Sequence, residues 1–339
     1  MKKQSKFAAL LVLLALLSGS LGACSPFDVG ELAGQEDTQQ DLVTVGFSQL
    51  GSESAWRTAN TKSVQDALTT ENGFFLLYDN ARQLQDQQIK DLRSFISQRV
   101  DAIVFCPVEE EGWETVLGEA YEAGVPVIAL DRNIATKNQS LLAAFLGEDM
   151  RTEGVNAGLW LEKTLQEEGR QDEDIRIAVL EGTEGSSAAE GRSEGFLAIA
   201  SRNQNWHFAA QADAQFTRAK GREVMKRFLS EFDDIDVVVA QNDEMALGAL
   251  EAIESAGRLY NEDGRKLILI SFDGSREALE AVRDGEIDLD VECNPLSGPA
   301  LRELIENILS GKSYEKVNYL PEQVFTRENV DEYLDSRAY

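Results

Sequence analysis

The sequence predicts an α/β protein of two lobes, each a parallel sheet covered by helices. Three observations carry this. Apolar runs of strand length recur ten times between Val43 and Glu292, separated by segments with helical spacing. The runs are continuous rather than alternating, as in strands buried on both faces. A length of 339 residues is long for one such unit and comfortable for two.

The first run covers residues 43–48, and 74–78, 102–105, 127–130 and 141–146 follow. After a break near Gly147-Glu148-Asp149 the series resumes with 176–180, 208–211, 237–240, 267–271 and 289–292. The helix between the second and third runs is marked by Ile89, Leu92, Phe95 and Ile96, which share a face at i, i+3 and i+4 steps. Two sheets of about five strands each are expected.

The chain starts with an address. Lys2, Lys3 and Lys6 precede an apolar stretch from Phe7 to Leu17 that is too short to span a bilayer. Leu21-Gly22-Ala23-Cys24 then resembles a bacterial lipobox. That resemblance implies cleavage before Cys24, so that 1–23 is a lipoprotein signal peptide, and a diacylglyceryl group on the Cys24 sulfur. Residues 24–41 are polar and acidic with little periodicity, a flexible tether.

Sixty acidic against 32 basic residues give a net charge of −28. Such a surface repels phosphate backbones and anionic lipid headgroups, which excludes nucleic acid and leaves a lipid anchor as the only membrane contact. A single histidine, His207, and no Cys or His cluster of ligand spacing argue against a metal. His207 reads as structural, and Cys106 and Cys293 as buried free thiols in apolar strand contexts.

In open parallel sheets, ligands bind beyond the carboxyl ends of the strands, so polar residues directly after each run should converge. These are Glu53, Trp56 and Arg57 after the first run and Asp131-Arg132 after the fourth. Gly182 to Ser187 lead to Arg192 in the second half, followed by Gln241-Asn242-Asp243, Phe272-Asp273-Gly274 and Glu292-Cys293-Asn294. Carboxylates, guanidinia and a carboxamide in one cleft suit hydroxyl groups, and a Trp face stacks on the C–H side of a sugar ring. Each has a plainer alternative. Asp131-Arg132 also reads as a surface ion pair, Asn242 as a helix N-cap and Asp273-Gly274 as a turn. Trp113, Trp160 and Trp206 fit packing, which leaves Trp56 as the stacking candidate.

Catalytic signatures are missing. Gly311-Lys312-Ser313 ends like a P-loop, but Glu306 stands where the first glycine is required. Gly182 and Gly185 lack the third glycine of a dinucleotide fingerprint, and no nucleophile elbow is present. Asp131, Asp273 and Glu292 leave glycoside hydrolysis by paired carboxylates open, but the reading is a binding protein without cofactor, not an enzyme.

Many short segments occur in one order along the mature chain: Val45-Gly46-Phe47-Ser48-Gln49, Glu53-Ser54-Ala55-Trp56-Arg57-Thr58, Leu130-Asp131-Arg132, Phe216-Thr217-Arg218, Gln241-Asn242-Asp243-Glu244-Met245 and Phe272-Asp273-Gly274. In these the chain resembles the periplasmic sugar-binding proteins of ABC importers, the group with ribose- and galactose-type receptors. Trp56-Arg57, where ribose-type relatives carry an aromatic pair, is similar to the galactofuranose branch. The resemblance implies a type I periplasmic-binding-protein fold, two Rossmann-like lobes joined by a three-strand hinge. The first would hold 42–147 with 294–325 and the second 148–293 with 326–339, the chain crossing near Gly147, Cys293 and Phe325. It further implies a monomer that closes on a monosaccharide and hands it to an ABC transporter permease. The sugar contacts carried over by motif are Glu53, Trp56, Arg57, Asp131, Arg132, Arg192, Phe216, Asn242 and Asp273; at the hinge strand, Glu292 or a neighbour reaches the ligand. A receptor presenting sugar to a membrane histidine kinase or chemoreceptor would share the same cleft. Asp131→Ala or Arg132→Ala is expected to abolish binding with apo unfolding nearly unchanged.

Overall fold

Each of the ten apolar runs contributes a strand, and each sheet gains one short strand that carries no periodic signal. The computed structural model describes residues 42–261 and 264–339, which form one compact unit. The expected signal peptide, Cys24 and the tether lie outside the described residues. In chain order the first half contains β1 (Val43–Gln49), α1 (Ala55–Ala67), β2 (Phe74–Asn80), α2 (Gln85–Gln98), β3 (Ala102–Phe105), α3 (Glu114–Ala123), β4 (Val127–Asp131) and β5 (Ala144–Gly147). The second half opens with α4 (Met150–Glu167) and β6 (Ile175–Glu181), then α5 (Ser187–Ala200), β7 (Trp206–Asp213), α6 (Arg218–Glu231) and β8 (Val237–Ala240). It continues through α7 (Asp243–Ser255), β9 (Ile268–Asp273), α8 (Arg276–Asp284) and β10 (Leu289–Glu292) to α9 (Gly298–Ser310), β11 (Val317–Tyr319), β12 (Val324–Phe325) and α10 (Asp331–Leu334).

The first sheet has the order β11-β5-β4-β3-β1-β2 and is parallel throughout. The second has the order β12-β10-β9-β8-β6-β7, parallel except that β12 runs against β10. Three passages link the sheets: after β5, after β10, and between β11 and β12. Phe325, expected at the end of the first lobe's share, pairs with Asp290 in the second sheet, so the last passage falls just before it. The run at 141–146 becomes a strand only from Ala144, because Asn138 caps a 3₁₀ turn over Gln139–Leu141 by accepting from the Ser140 amide.

Both faces of each sheet are buried. Val45, Phe47, Ile128 and Leu130 pack with Leu301 and Ile305 of α9, while Phe105 and Ala129 face Trp113 and Leu117. Such double coverage is what lets the strands read as unbroken apolar runs. The loops that leave the strand ends are fixed by side-chain caps. Ser54, Ser186, Thr217 and Asn242 each accept from an amide three residues on, starting α1, α5, α6 and α7 at once.

Candidate functional site between the two sheets

Arg57 stands in the first turn of α1, with its guanidinium 4.5 Å above the Trp56 ring. Its Nη1 donates to Asp131 Oδ2 at 2.6 Å and its Nε to Glu53 Oε1 at 3.1 Å. Asp131 ends β4 in register with Gly147 and adopts a positive φ of 63°. The Cys106 thiol donates to the same Asp131 Oδ2 at 3.0 Å. Arg132 Nη1 reaches the Val108 carbonyl at 3.3 Å, and its guanidinium lies 5.2 Å from the Phe216 ring across the cleft. Burial, then the neighbouring Arg57 charge, lowers the pKa of Arg132.

On the second sheet's side, Arg192 of α5 donates from Nε to Glu153 Oε2 at 2.6 Å and from Nη2 to Asp273 Oδ1 at 3.4 Å. Its Nη1 donates to the Gln241 carbonyl, and the group lies 4.9 Å from the Phe272 ring. The short reach from α5 to Glu153 on α4 requires the helices to touch: a Cβ on Gly154 would overlap the Arg192 carbonyl. Gly182 plays the same part for Phe216, whose ring fills the space a side chain there would need. Phe216 and Asp273 have φ of 56° and 113°. With Asp131, three site residues are thus held in the left-handed region, a strain of about 1–3 kcal/mol each that clusters at functional positions. Asn242 caps α7 through the Met245 amide at 3.0 Å and donates from Nδ2 to the Phe216 carbonyl at 3.3 Å. It is both cap and cavity wall.

These residues surround one cavity, with about 300 Å³ of empty space including its mouth. Glu53, Trp56, Arg57, Asp131, Arg132, Arg192, Phe216, Asn242 and Asp273 all line it. Glu292 does not. On β10, opposite Asp273, it accepts from Arg337 Nη1 at 2.7 Å, and the next residue, Cys293, takes the cavity position. Met150, Ala188, Ser54 and Cys293 complete the wall. Cys293 is a neighbour of Glu292 on the hinge segment named from the sequence, whereas the residue types of Met150, Ala188 and Ser54 gave no sign, since each reads as packing or a cap. Both thiols are free and buried among apolar side chains, and Cys106 also meets charge, with Arg57 Nη1 3.2 Å from its Sγ.

The two sides clasp across the cavity. Trp56 Nε1 donates to the Cys293 carbonyl. The Asn133 amide donates to Ser187 Oγ at 2.9 Å, and the Glu110 amide to the Gly185 carbonyl at 3.0 Å. Two buried polar atoms on the wall, Glu53 Oε2 and Arg132 Nε, have no protein partner. Burial raises the pKa of Asp273, which Arg192 opposes and Asp243 and Glu153 reinforce. Asp131 and Asp273 are each bound to a guanidinium, an arrangement suited to gripping hydroxyls.

A larger cavity, with about 2200 Å³ of empty space including its mouth, opens where β6 and β7 begin, beside His207. It lies at the opposite strand ends from the charged rim. Arg170 there is already matched by Glu168, Glu173 and Asp236, and His207 pairs with Asp174 at 3.1 Å. Among the described residues no helix is long and apolar enough to cross a membrane.

Comparison with known proteins places these features in context. A family described as periplasmic binding protein domain matches residues 45–312. The galactofuranose-binding protein YtfQ of Escherichia coli is 36% identical over 299 residues, covering 87% of this chain and 91% of that one. A Mycobacterium smegmatis protein solved in complex with β-D-fucofuranose is 38% identical with a TM-score of 0.81, covering 86% and 94% of the two chains. The binding component of the arabinose ABC transporter of Shewanella sp. ANA-3, bound to α- and β-L-arabinofuranose, is 38% identical with a TM-score of 0.80, covering 87% and 95%.

Proposed function

The chain belongs to the periplasmic binding protein family, and from that premise we propose that it captures a furanose-form aldose, galactofuranose or a close relative, and delivers it to an ABC importer permease. The observation that carries this reading is the buried ring of guanidinia and carboxylates from both sheets, with Glu53 Oε2 and Arg132 Nε unmatched by protein. A neutral polyhydroxyl ligand supplies donors and acceptors to both kinds of group at once. An unpaired buried polar atom costs about 1–3 kcal/mol, so sugar hydroxyls that satisfy these two gain directly.

Arg57, Arg132 and Arg192 donate to ring and hydroxyl oxygens in this reading, and Asp131 and Asp273 accept hydroxyl protons. Trp56 and Phe216 present faces to the ring. Because the contacts come from both sheets, the ligand stabilises the closed arrangement over an open one. The furanose preference rests on the relatives' ligands named above. In this reading the two lobes are divided near Gly147, near Cys293 and ahead of Phe325, and the protein acts as a monomer. Cys24 carries the lipid that holds it at the outer face of the cell membrane.

Isothermal titration and thermal-shift measurements against pentoses and hexoses, including furanose-enriched samples, test the proposal. A furanose raising the melting temperature and binding with one-to-one stoichiometry is the expected result. No response to any sugar in the panel would overturn it.

A further inference from the structure

Each of the three passages between the sheets brings one ionisable side chain to the same place behind the cavity, where Glu148 and Cys293 are buried and Glu322 is half-buried. Glu148 follows β5, Cys293 follows β10, and Glu322 lies between β11 and β12. Glu153, at the start of α4, completes the group: ionisable atoms of Glu153, Cys293 and Glu322 lie within 4.8 Å of one another. A second set, from Asp131, Glu148 and Cys293, converges equally closely. Glu148 and Glu153 are only 3% and 0% exposed. Glu148 Oε2, Glu153 Oε1 and Glu322 Oε1 are buried without partners.

The charges around this place do not cancel. From the first sheet it faces Asp131 and Arg57, and from the second Arg192 and Asp273. Arg192 is already engaged by Glu153, and Arg57 by Asp131. Glu148 and Glu322 therefore have no cation of their own, and like charges this close cannot all remain ionised out of water.

We propose that closure on sugar is coupled to proton uptake at this hinge, one proton being held on Glu322 and donated toward Glu153 Oε1. The inference rests on the sugar-binding reading above. An O–H bond forms on the Glu322 carboxylate, and the bond broken is that of the hydronium or buffer acid that gives up the proton. Burial, followed by Glu153 and Glu148, pushes the Glu322 pKa up to about 11. In an open form, where water reaches this third passage, Glu322 returns to the ordinary carboxylate range. Between those limits the closed state binds more protons, so affinity is highest at low pH and falls as pH rises, by about tenfold per unit for one proton.

Titration of the full chain with its sugar in two buffers of different ionisation enthalpy, from pH 6 to 8.5, counts the protons. Uptake of at least one per sugar is expected. Glu322→Gln, which keeps the shape and touches no proposed sugar contact, should lower the count by about one and flatten the pH dependence accordingly. Sugar binding with no proton uptake, or an unchanged count in Glu322→Gln, would refute the coupling while leaving the sugar reading intact. Proton-free binding that needs a divalent cation and is lost with EDTA would also refute it. Absence of binding by any sugar strikes the functional reading itself, and the inference with it.

Discussion

Arg57 and Asp131 are 74 residues apart in sequence and meet at 2.6 Å, with both side chains at least nine-tenths buried. One comes from the first turn of a helix and the other from a strand end, and both line the same cavity. The pair shapes the site and also helps hold it together.

Asp131→Ala therefore does more than remove a ligand contact. It leaves Arg57 buried without its nearest carboxylate, and breaking such a pair costs about 3–5 kcal/mol. We expect both sugar binding and apo stability to fall, read by titration and by urea unfolding. Arg132→Ala should differ. Its Nε has no protein partner and it is repelled by Arg57, so binding should be lost with apo stability unchanged or raised. The two substitutions, alike from sequence, separate once the contacts are known.

Gly182→Ala is expected to displace Phe216, whose ring occupies the place of the new methyl. Overpacking of this kind costs about 1–3 kcal/mol. Affinity should fall at least about tenfold while the far-ultraviolet circular dichroism spectrum stays unchanged.

Buried Asp243 accepts from Ser271 Oγ at 2.5 Å and from the Ser275 amide at 2.6 Å, and its pKa is pushed up by burial to about 6. Its neighbour Asp290 is raised too, by burial and by Asp243 and Asp273. A carboxyl whose folded pKa lies above its unfolded value favours folding below the unfolded value, and that contribution is lost as pH rises through the folded one. The melting temperature should thus gain from this pair as pH falls from about 6 toward 4. Asp290→Asn, which removes one of the two charges, should raise stability near neutral pH and flatten the slope, as scanning calorimetry across that range would reveal.

Cys293 lines the cavity and Cys106 lies behind it, both with pKa raised first by burial. Alkylation of either should be slow. Saturating sugar should slow the Cys293 reaction further, since a closed, filled cavity excludes the reagent. Mass spectrometry after timed labelling reads this, and equal labelling with and without sugar would count against closure.

The sequence by itself determined the α/β class, the ten long strands and most of the cavity wall. Continuous apolar runs identify doubly covered parallel strands, and the rule that ligands sit beyond strand ends turns each run into a site position. Trp56, Asp131, Arg192 and Asp273 were legible for that reason. What only the tertiary structure decided are the properties that depend on which atoms meet. Glu292 turns to Arg337 and yields its place to Cys293, because a cation from the far end of the chain, 45 residues on, captures its carboxylate. The strands Val317–Tyr319 and Val324–Phe325 are too short to leave a period, and they exist because neighbouring strands offer them partners. The meeting of Glu148, Glu153, Cys293 and Glu322 had no local signature at all. Burial of several ionisable groups in one spot is a consequence of three passages of the chain converging, which no window of sequence contains.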